Sequence, residues 1–482
     1  MAELHELGVA AAAKAIHDGE VTAEHLVGTF LDRNAAHVYL NAFVSVDADA
    51  SLEAARKVDD ARRNGAALGP LAGVPLGVKD NIDVVGQECC AGTPGLSGHR
   101  PKKDAPVAAA LRNAGAIFLG RTGMHELAFG ITNNNTFSGA IRNPYDPLMI
   151  PGGSSGGAGA SCAARLTPGG IGTDTGGSVR VPAALCGIAS LRPSAGRWPA
   201  RRIVPISSTR DTPGPMARCV ADLELMDRVV TGVTDMLVAR PLGGLRLGVP
   251  RGYFWEDLDR ETERVCQQAL TVLEAAGVTL VEADVADLAA LNAAASIIAF
   301  YEPGRDIVAY LEESGASARF ADIVEKAASP DVQGIMRFIS DPATMVPPAL
   351  YREAMDVHRP RLIKAYRDHF AVHGIDALVF PTTPLPARPI GEDIDVELNG
   401  RRVPTFQTFI RNTDPGSGAG LPGINLPIGL TGQGLPVGLA LDGLPGGDRA
   451  LLSIAAAIEA LFPALPAPKL DPAVVKYTDD KQ

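Results

Sequence analysis

Residues 145–215 constrain the fold more than any other part of the chain. They are rich in glycine, serine, threonine and proline, and they contain almost no run of charged residues. A long irregular stretch inside a folded chain is usually either functional or a linker. The many small residues and the missing charge run favour a functional segment. We therefore expect an irregular stretch with a short helix near Gly159–Arg165.

Regular patterns lie on both sides of this segment. Residues 4–36 predict two amphipathic helices, with Thr22 as the cap of the second. A helix, a turn and a buried strand follow one another at 105–119, and this order recurs at 265–281. Such alternation predicts a layered α/β fold. Further predicted elements are a helix at 51–65, an apolar strand at Leu71–Val78 that ends on Lys79, mainly helical residues at 285–375, strands at Ala377–Phe380 and 434–443, and a helix at Ala450–Leu461.

Composition and charge exclude several classes of protein. Among the 482 residues, 46% are hydrophobic and 21% are charged, and glycine plus proline make up about 18%, too few for a collagen-like or low-complexity chain. The net charge of −11 argues against nucleic-acid binding, which needs a basic surface. The uncharged stretch Pro415–Leu441 is interrupted by proline and glycine, so we expect no membrane helix. Without a basic N-terminal region we expect no signal peptide and a cytoplasmic location.

Cysteine and histidine residues point to no metal or redox centre. No two cysteines form a C-x-x-C pair, so we expect reduced thiols that pack as small hydrophobic side chains. His369 and His373 have the H-x-x-x-H spacing of a zinc site on one helix, but the glutamate of H-E-x-x-H and a third ligand are missing. We expect no metal and no cofactor. The cysteines are Cys89, Cys90, Cys162, Cys186, Cys219 and Cys266.

The glycine- and serine-rich run at 152–157 allows two general interpretations. As a phosphate-binding loop it lacks the Lys-Ser/Thr of a Walker A motif and a preceding strand. As a nucleophile elbow it satisfies G-x-S-x-G, but Pro151 stands where that motif requires a strand to run into the serine. The elbow would also need a histidine further along the chain, and the candidates are His358, His369 and His373.

A third interpretation uses more of the chain. The runs PGGSSGG at 151–157 and GTDTGGSVRVPAALCG at 172–187 resemble the signature of the amidase signature family of serine hydrolases, and GVKDN at 77–81 is similar to its lysine motif. Residues 381–384 and 412–443 also resemble family segments. The resemblance extends over about residues 5–465.

The resemblance implies an architecture as well as a chemistry. We expect an α/β amidase signature fold in which a large mixed central β-sheet is covered by helices on both faces. The chain is predicted to form a single amidase domain, 1–482. Its parts are N-terminal helices at about 4–65, a signature core at about 71–220 and a helical insertion at about 285–375.

The family match also implies the catalytic residues. Ser178 is the predicted nucleophile, Ser154 the relay and Lys79 the base, and the backbone N–H groups of Thr175, Gly176, Gly177 and Ser178 are the predicted oxyanion hole. These roles supply what amide hydrolysis needs. Because Lys79 ends an apolar strand, desolvation should lower its pKa and favour the neutral amine. No histidine is required.

Three further residues are predicted to support the site. Ser155 is expected to contribute a hydrogen bond, and Asp174 with Arg180 is expected to form an ion pair that shapes the loop without transferring protons. Structural interpretations remain open for these motifs. The glycines could simply form a tight turn, Ser154 or Ser155 could cap a helix, and Lys79 could reach the surface or pair with Asp80.

The substrate is predicted only as a class. The segments 197–199, 207–218 and 412–417 resemble the branch that contains mandelamide and indoleacetamide hydrolases, which implies a small aryl or arylacetic-type amide cleaved to an acid and ammonia or an amine. The same triad would allow an aryl acylamidase, an esterase or a carbamate hydrolase, and an amidotransferase subunit of a multi-chain assembly is a further alternative. Pocket residues are expected from 125–140, 197–210, 285–350 and 408–418. A homodimer is left open.

Overall fold

The fold is built on one large β-sheet, as the sequence predicts. The computed structural model describes residues 3–473. Its strands are β1 (Phe43–Val46), β2 (Pro75–Lys79), β3 (Ile117–Thr122), β4 (Asn134–Asn135), β5 (Gly139–Ala140), β6 (Gly169–Asp174), β7 (Ala189–Arg192), β8 (Thr212–Ala217), β9 (Arg246–Val249), β10 (Thr279–Glu282), β11 (Ala377–Pro381), β12 (Asp395–Leu398), β13 (Arg401–Pro404), β14 (Gly423–Leu430) and β15 (Pro436–Asp442).

Eleven of these strands form the central sheet, in the order β1-β3-β2-β6-β8-β7-β14-β15-β11-β9-β10. Strand β2 pairs parallel with both β3 and β6, and β9 pairs parallel with both β10 and β11. The strands between β6 and β11 pair antiparallel with their neighbours. The sheet is therefore mixed, and the parallel strand β2 carries Lys79 at its C-terminal end.

Helices pack on both faces of the sheet. Because successive residues of a strand point to opposite faces, β8 illustrates the layering. Met216 belongs to the apolar cluster that contains Cys162 of α5 and Ala183 of α6. The next residue, Ala217, belongs to a different apolar cluster, which contains Val220 and Leu223 of α7. The helices are α1 (Val9–His17), α2 (Ala23–Ala36), α3 (Ala48–Arg63), α4 (Pro106–Asn113), α5 (Gly156–Ala163), α6 (Arg180–Cys186), α7 (Val220–Thr231), α8 (Arg251–Phe254), α9 (Arg260–Ala275), α10 (Leu288–Ser296), α11 (Ile298–Ser314), α12 (Phe320–Lys326), α13 (Pro330–Ser340), α14 (Pro348–Glu353), α15 (Arg359–His373), α16 (Thr405–Ile410), α17 (Asp414–Ala419) and α18 (Asp448–Glu459).

The expectation of an irregular stretch at 145–215 is wrong in part. These residues include three strands of the central sheet, β6, β7 and most of β8, together with helices α5 and α6. The strand β6 lacks alternating hydrophobic residues because neighbouring atoms occupy the space of its side chains. A Cβ on Gly170 would lie 2.9 Å from the carbonyl oxygen of Gly77, and one on Gly172 would lie 2.7 Å from Ser155 Oγ. Glycine lets this buried strand approach its neighbours closely.

Most other predicted elements are present within a few residues of their expected bounds. Thr22 caps α2, since its hydroxyl accepts a hydrogen bond from the backbone N–H of His25 at 3.1 Å. Residues 285–375 are mainly helical, as expected, from α10 to α15. The division of the chain into a core and a helical insertion stays a prediction.

The cysteines and the uncharged stretch at 415–441 each had an expected structural state. All six cysteines are free, and Cys89, Cys162, Cys186 and Cys266 are buried, which agrees with thiols packed as small hydrophobic side chains. Residues 415–441 form parts of α17, β14 and β15 instead of one long helix. Within residues 3–473, the structure contains no helix with the length and apolar character needed to cross a membrane.

Candidate active site

Lys79 lies in the interior of the molecule, at the end of strand β2, and its side chain is fully buried. Its Nζ donates to Ser154 Oγ at 2.8 Å and to Thr173 Oγ1 at 2.8 Å. The alternative pairing of Lys79 with Asp80 is not observed. The Asp80 carboxylate instead faces the Arg121 guanidinium at 3.5 Å and accepts from the backbone N–H of Gly92 at 3.0 Å.

Burial changes the proton affinity of Lys79. Desolvation disfavours an ammonium ion in the interior, and it lowers the pKa of Lys79 from 10.5 to about 7, although the carboxylates of Asp174 and Asp211 act in the opposite direction. Near neutral pH, a lysine with such a pKa is present in part as the neutral amine, which can act as a base. The desolvation expected from the apolar strand is therefore present.

The loop that contains Ser154 and Ser155 is fully buried and lies beside β2 and β6, because Ser154 contacts Lys79 and Ser155 contacts Thr173. The peptide bond between Gly153 and Ser154 is cis. The Ser155 hydroxyl donates to the carbonyl oxygen of Thr173 at 3.2 Å and accepts from its N–H at 3.3 Å. The backbone N–H of Ser155 donates to the carbonyl oxygen of Ser178 at 3.2 Å. Ser155 thus links the loop of Ser154 to the loop of Ser178.

Ser178 follows a loop of small residues between β6 and α6, and its exposed fraction is 8%. Within the described chain, the backbone N–H groups of Thr175, Gly176, Gly177 and Ser178 donate no hydrogen bond to protein atoms. The loop conformation depends on glycine, because Gly177 has φ of +143° and a Cβ there would lie 2.1 Å from Thr413 Oγ1. Successive free N–H groups beside a serine hydroxyl can stabilise an oxyanion.

Asp174 and Arg180 form the predicted ion pair. Arg180 Nε and Nη2 each donate to the Asp174 carboxylate at 3.1 Å, and both side chains are fully buried. Sequence reasoning missed Arg192, whose Nη1 lies 2.9 Å from Asp174 Oδ1. Burial raises the pKa of Asp174, but the two guanidinium groups outweigh this effect and hold it well below its ordinary value. Asp174 is therefore an anion that fixes the start of the Ser178 loop.

A second carboxylate that the sequence did not single out holds the other side of this loop. Asp211 Oδ1 accepts from Thr175 Oγ1 at 2.6 Å, and Oδ2 accepts from the backbone N–H groups of Ile206 and Ser207 at 2.8 and 3.0 Å. Burial raises the pKa of Asp211 to about 6. The only sequence signal was its place in the segment 207–218.

A cavity of about 560 Å³ opens beside Ser178. Thr175, Gly176 and Ser178 form part of its wall, so the loop with the free N–H groups faces this space. Large apolar side chains, including Phe129 and Phe300, line much of the remainder. Apolar walls with a few polar groups are typical of sites for small organic molecules.

All four predicted pocket ranges contribute to the cavity, but they do not account for all of it. The sequence analysis did not predict Tyr253 of α8, Asp257 shortly after it, or the hairpin of β12 and β13 with the start of the helix α16 that follows. The residues from the predicted ranges are Ala128, Phe129, Ile206, Arg210, Asn292, Ser296, Ala299, Phe300, Ile335, Thr408, Ile410, Arg411 and Asp414, and those from the missed hairpin and helix are Leu398, Val403, Pro404, Phe406 and Gln407.

The histidines of the elbow interpretation lie elsewhere. His358, His369 and His373 are not part of the cavity wall that contains Ser178. His369 and His373 do lie close together on α15, with ring centroids 4.8 Å apart. Among the residues that the structure describes, no group of three histidine, cysteine, aspartate or glutamate side chains is arranged to hold a metal ion.

Comparisons with known proteins identify the family of this chain. Residues 25–452 match the profile of the family described as Amidase. The chain is 46% identical to the indoleacetamide hydrolase of Agrobacterium vitis over 90% of this chain and 92% of the relative, and 40% identical to the mandelamide hydrolase of Pseudomonas putida over 96% and 93%. A crystal structure described as an amidase superposes with a TM-score of 0.85 at 31% identity, over 95% of this chain and 100% of the other. The chain belongs to the amidase signature family and is an amidase, a hydrolase that acts on carbon–nitrogen bonds.

Proposed function

We propose that this amidase hydrolyses a small aryl or arylacetic-type amide to a carboxylic acid and ammonia or an amine, with Lys79, Ser154 and Ser178 as the catalytic triad. The observation that carries the proposal is the buried hydrogen bond between Lys79 Nζ and Ser154 Oγ, next to the loop that presents Ser178 to an apolar cavity. The names of the two curated relatives support the choice of acyl group.

Acylation begins when Ser178 Oγ attacks the amide carbon. The Ser178 proton passes to Ser154 Oγ, and the proton of Ser154 passes to Lys79 Nζ, which burial keeps able to accept it. The carbonyl oxygen becomes an oxyanion, which the free N–H groups of the Ser178 loop stabilise. The predicted supporting residues hold this loop in place, since Ser155 bonds to Thr173 and Arg180 pairs with Asp174.

Collapse of the tetrahedral intermediate breaks the carbon–nitrogen bond. Lys79 returns its proton through Ser154 to the leaving nitrogen, because an amide anion is too basic to leave unprotonated. The products of this half-reaction are the amine and an ester of the acid with Ser178. Water then attacks the ester with the same proton relay, which releases the acid and restores the Ser178 hydroxyl.

The cavity supports an aromatic acyl group. Its wall contains Phe129, Phe300 and Phe406 along with aliphatic side chains, and aromatic rings pack well against such surfaces. The polar groups at the wall include Arg210 and Asp414, which pair with each other. The charged residues Asp257 and Arg411 also lie at the wall, but the larger apolar share of the lining matches an aryl group.

The proposed triad is tested by covalent labelling. A fluorophosphonate probe should label the wild-type protein, and Ser178→Ala should abolish both labelling and turnover. Labelling that persists in Ser178→Ala but disappears in Ser154→Ala would favour the nucleophile-elbow interpretation. Circular dichroism of both variants checks that the fold is retained.

The proposed substrate class is tested with a panel of phenylacetamide, mandelamide, indoleacetamide, an acetanilide and an aryl carbamate. We expect the highest kcat/KM for a primary arylacetic-type amide, with the purified chain alone. The highest value for the anilide or the carbamate would replace the proposed substrate with an aryl acylamidase or carbamate hydrolase activity. Activity that needs added partner chains and ATP would favour the amidotransferase alternative.

A further inference from the structure

We propose that Thr173 and Asn81 are positioning residues that set how readily Lys79 accepts the proton during acylation. The proposal rests on the proposed role of Lys79 as the base. Thr173 Oγ1 lies 2.8 Å from Lys79 Nζ, and Asn81 Nδ2 lies 3.2 Å from Thr173 Oγ1. All three side chains are buried.

The chemistry of the transfer explains why Thr173 matters. When the O–H bond of Ser154 breaks and an N–H bond forms on Lys79, the lysine changes from an amine with two N–H donors to an ammonium ion with three. Within the described residues, its Nζ has two side-chain partners, Ser154 Oγ and Thr173 Oγ1. Ser154 takes part in the transfer itself, so Thr173 is the acceptor that stabilises the ammonium ion throughout.

Asn81 holds the threonine hydroxyl in this position. Its Nδ2 also donates to the carbonyl oxygen of Val204 at 3.4 Å, and the backbone carbonyl oxygen of Asn81 accepts from the N–H of Val204 at 2.8 Å. These contacts place the amide beside Thr173 Oγ1. The Asn81 side chain is neutral, so it positions the hydroxyl without adding a charge near Lys79.

The charges around Lys79 make its proton affinity sensitive to this pair. Asp174 and Asp211 both favour the ammonium form, but each is already held by other donors. Arg121 contacts the main chain of Lys79, because its Nη2 donates to the Lys79 carbonyl oxygen at 2.9 Å. A buried group with distant counter-charges depends strongly on direct hydrogen bonds to its charged form.

The first test replaces the threonine hydroxyl. Thr173→Val keeps the shape but removes the acceptor, so the ammonium form loses stability and Lys79 becomes a weaker base. The rise of kcat with pH should move to lower pH by about one unit, and the plateau kcat for an arylacetamide should fall by about tenfold. KM should change little, since Thr173 is not part of the cavity wall of Ser178. Thr173→Ser restores the acceptor and should return the rise toward the wild-type pH.

A matched control removes a different buried threonine hydroxyl. Thr167 Oγ1 donates to the carbonyl oxygens of Pro75 and Gly169, at the opposite end of β2 and β6 from Lys79. Thr167→Val should lower the melting temperature but leave unchanged the pH at which kcat rises. This control separates loss of packing from loss of the acceptor.

The second test shifts the same group in the opposite direction. Asn81→Asp introduces a carboxylate next to Thr173, which stabilises the ammonium form. The rise of kcat should then move to higher pH by about one unit. Opposite shifts from two neighbouring residues cannot come from a general loosening of the site.

The outcomes distinguish this inference from the proposed function. If Lys79→Ala retains the wild-type rate and pH profile, the base lies elsewhere and both proposals fail. If Lys79→Ala removes the rise but Thr173→Val and Asn81→Asp leave it at the wild-type pH, the positioning role alone is overturned. A shift to lower pH in Thr173→Val with recovery in Thr173→Ser establishes the role of Thr173, and the opposite shift in Asn81→Asp excludes a general loosening of the site.

Discussion

Two regions meet at the cavity, and they are built differently. Around Lys79 and Ser154 the molecule is fully buried, has many small residues, and is held by direct hydrogen bonds and buried ion pairs. The wall contributed by α10, α11 and α13 is more open, since its apolar ring Phe300 is 42% exposed, and it also includes Ile335 and the polar side chains of Asn292 and Ser296.

A few polar contacts join the wall to the core. Glu302 of α11 is fully buried and accepts from the hydroxyl groups of Ser207 and Thr209 at 2.5 Å each. Asn292 of α10 donates to Asp414 at 3.0 Å. We infer from this difference that the core carries the proposed chemistry and that the wall selects the acyl group, so changes in the two regions should affect different kinetic parameters.

The largest effect should come from the base in the core. Lys79→Ala should lower kcat for an amide by about 10²–10⁴-fold. The loss for a matched ester should be smaller, because an alkoxide needs the returned proton less than an amine does. In the wild type, Lys79 must be neutral to act, so kcat should rise with pH through one ionisation near the pKa of about 7 and then level off. Equal losses on the amide and the ester would exclude Lys79 as the proton donor.

The next largest effect should come from the loop that carries the proposed oxyanion donors. Gly177→Ala adds a Cβ that would lie 2.1 Å from Thr413 Oγ1, so the loop must move and its N–H groups lose their alignment. We expect kcat to fall by about 10²–10³-fold. The control is Gly196→Ala, which also has a positive φ but has no atom within 4 Å of the added Cβ. It should keep kcat, and an equal loss there would contradict the assignment.

A change in the wall should act mainly on binding. Phe300→Ala removes a ring that lines the cavity and packs edge-on against Phe338 with centroids 6.0 Å apart. We expect KM for indoleacetamide to rise by about tenfold, while kcat changes little. Val308→Ala is the matched control on the same helix, since Val308 is 40% exposed and is not a lining residue. A fall in kcat without a change in KM would remove the proposed division between core and wall.

A smaller effect is expected where the wall is attached to the core. Glu302→Gln replaces a carboxylate that accepts several hydrogen bonds, which should lower the free energy of unfolding by about 1.5–3 kcal/mol. KM for an aryl amide should rise only severalfold. Thermal melts and steady-state kinetics measure both, and Glu312→Gln, at an exposed position on the same helix, serves as the control. A greater loss of kcat than of affinity would mean that this contact also shapes the catalytic loop.

No effect is expected from removing metal ions. The proposed triad supplies base, relay and nucleophile without an ion, and the oxyanion is stabilised by backbone N–H groups. Full activity should therefore remain after exhaustive dialysis against EDTA and without ATP. Activity that is lost on chelation and restored specifically by zinc would instead assign His369 and His373 as ligands.

The sequence by itself determined the parts of the site that are encoded locally. Lys79 ends an apolar run, and an apolar run that forms a buried strand must desolvate the residue at its end. The glycines around Ser154 and Ser178 belong to the stretch of small residues that favoured a functional segment. The family resemblance added an overall architecture, a mixed sheet covered by helices, which the structure confirms.

The tertiary structure decided what depends on residues far apart in the chain. Arg192 reaches Asp174, Asp211 reaches Thr175, and Asn81 meets Thr173 only because the strands and loops that carry them are neighbours in the fold. The glycine-rich strand β6 escaped prediction for a related reason. Hydrophobic periodicity reports side chains that fill a core, whereas this strand is packed by the backbone and side chains of its neighbours, and no local pattern records which neighbours those are.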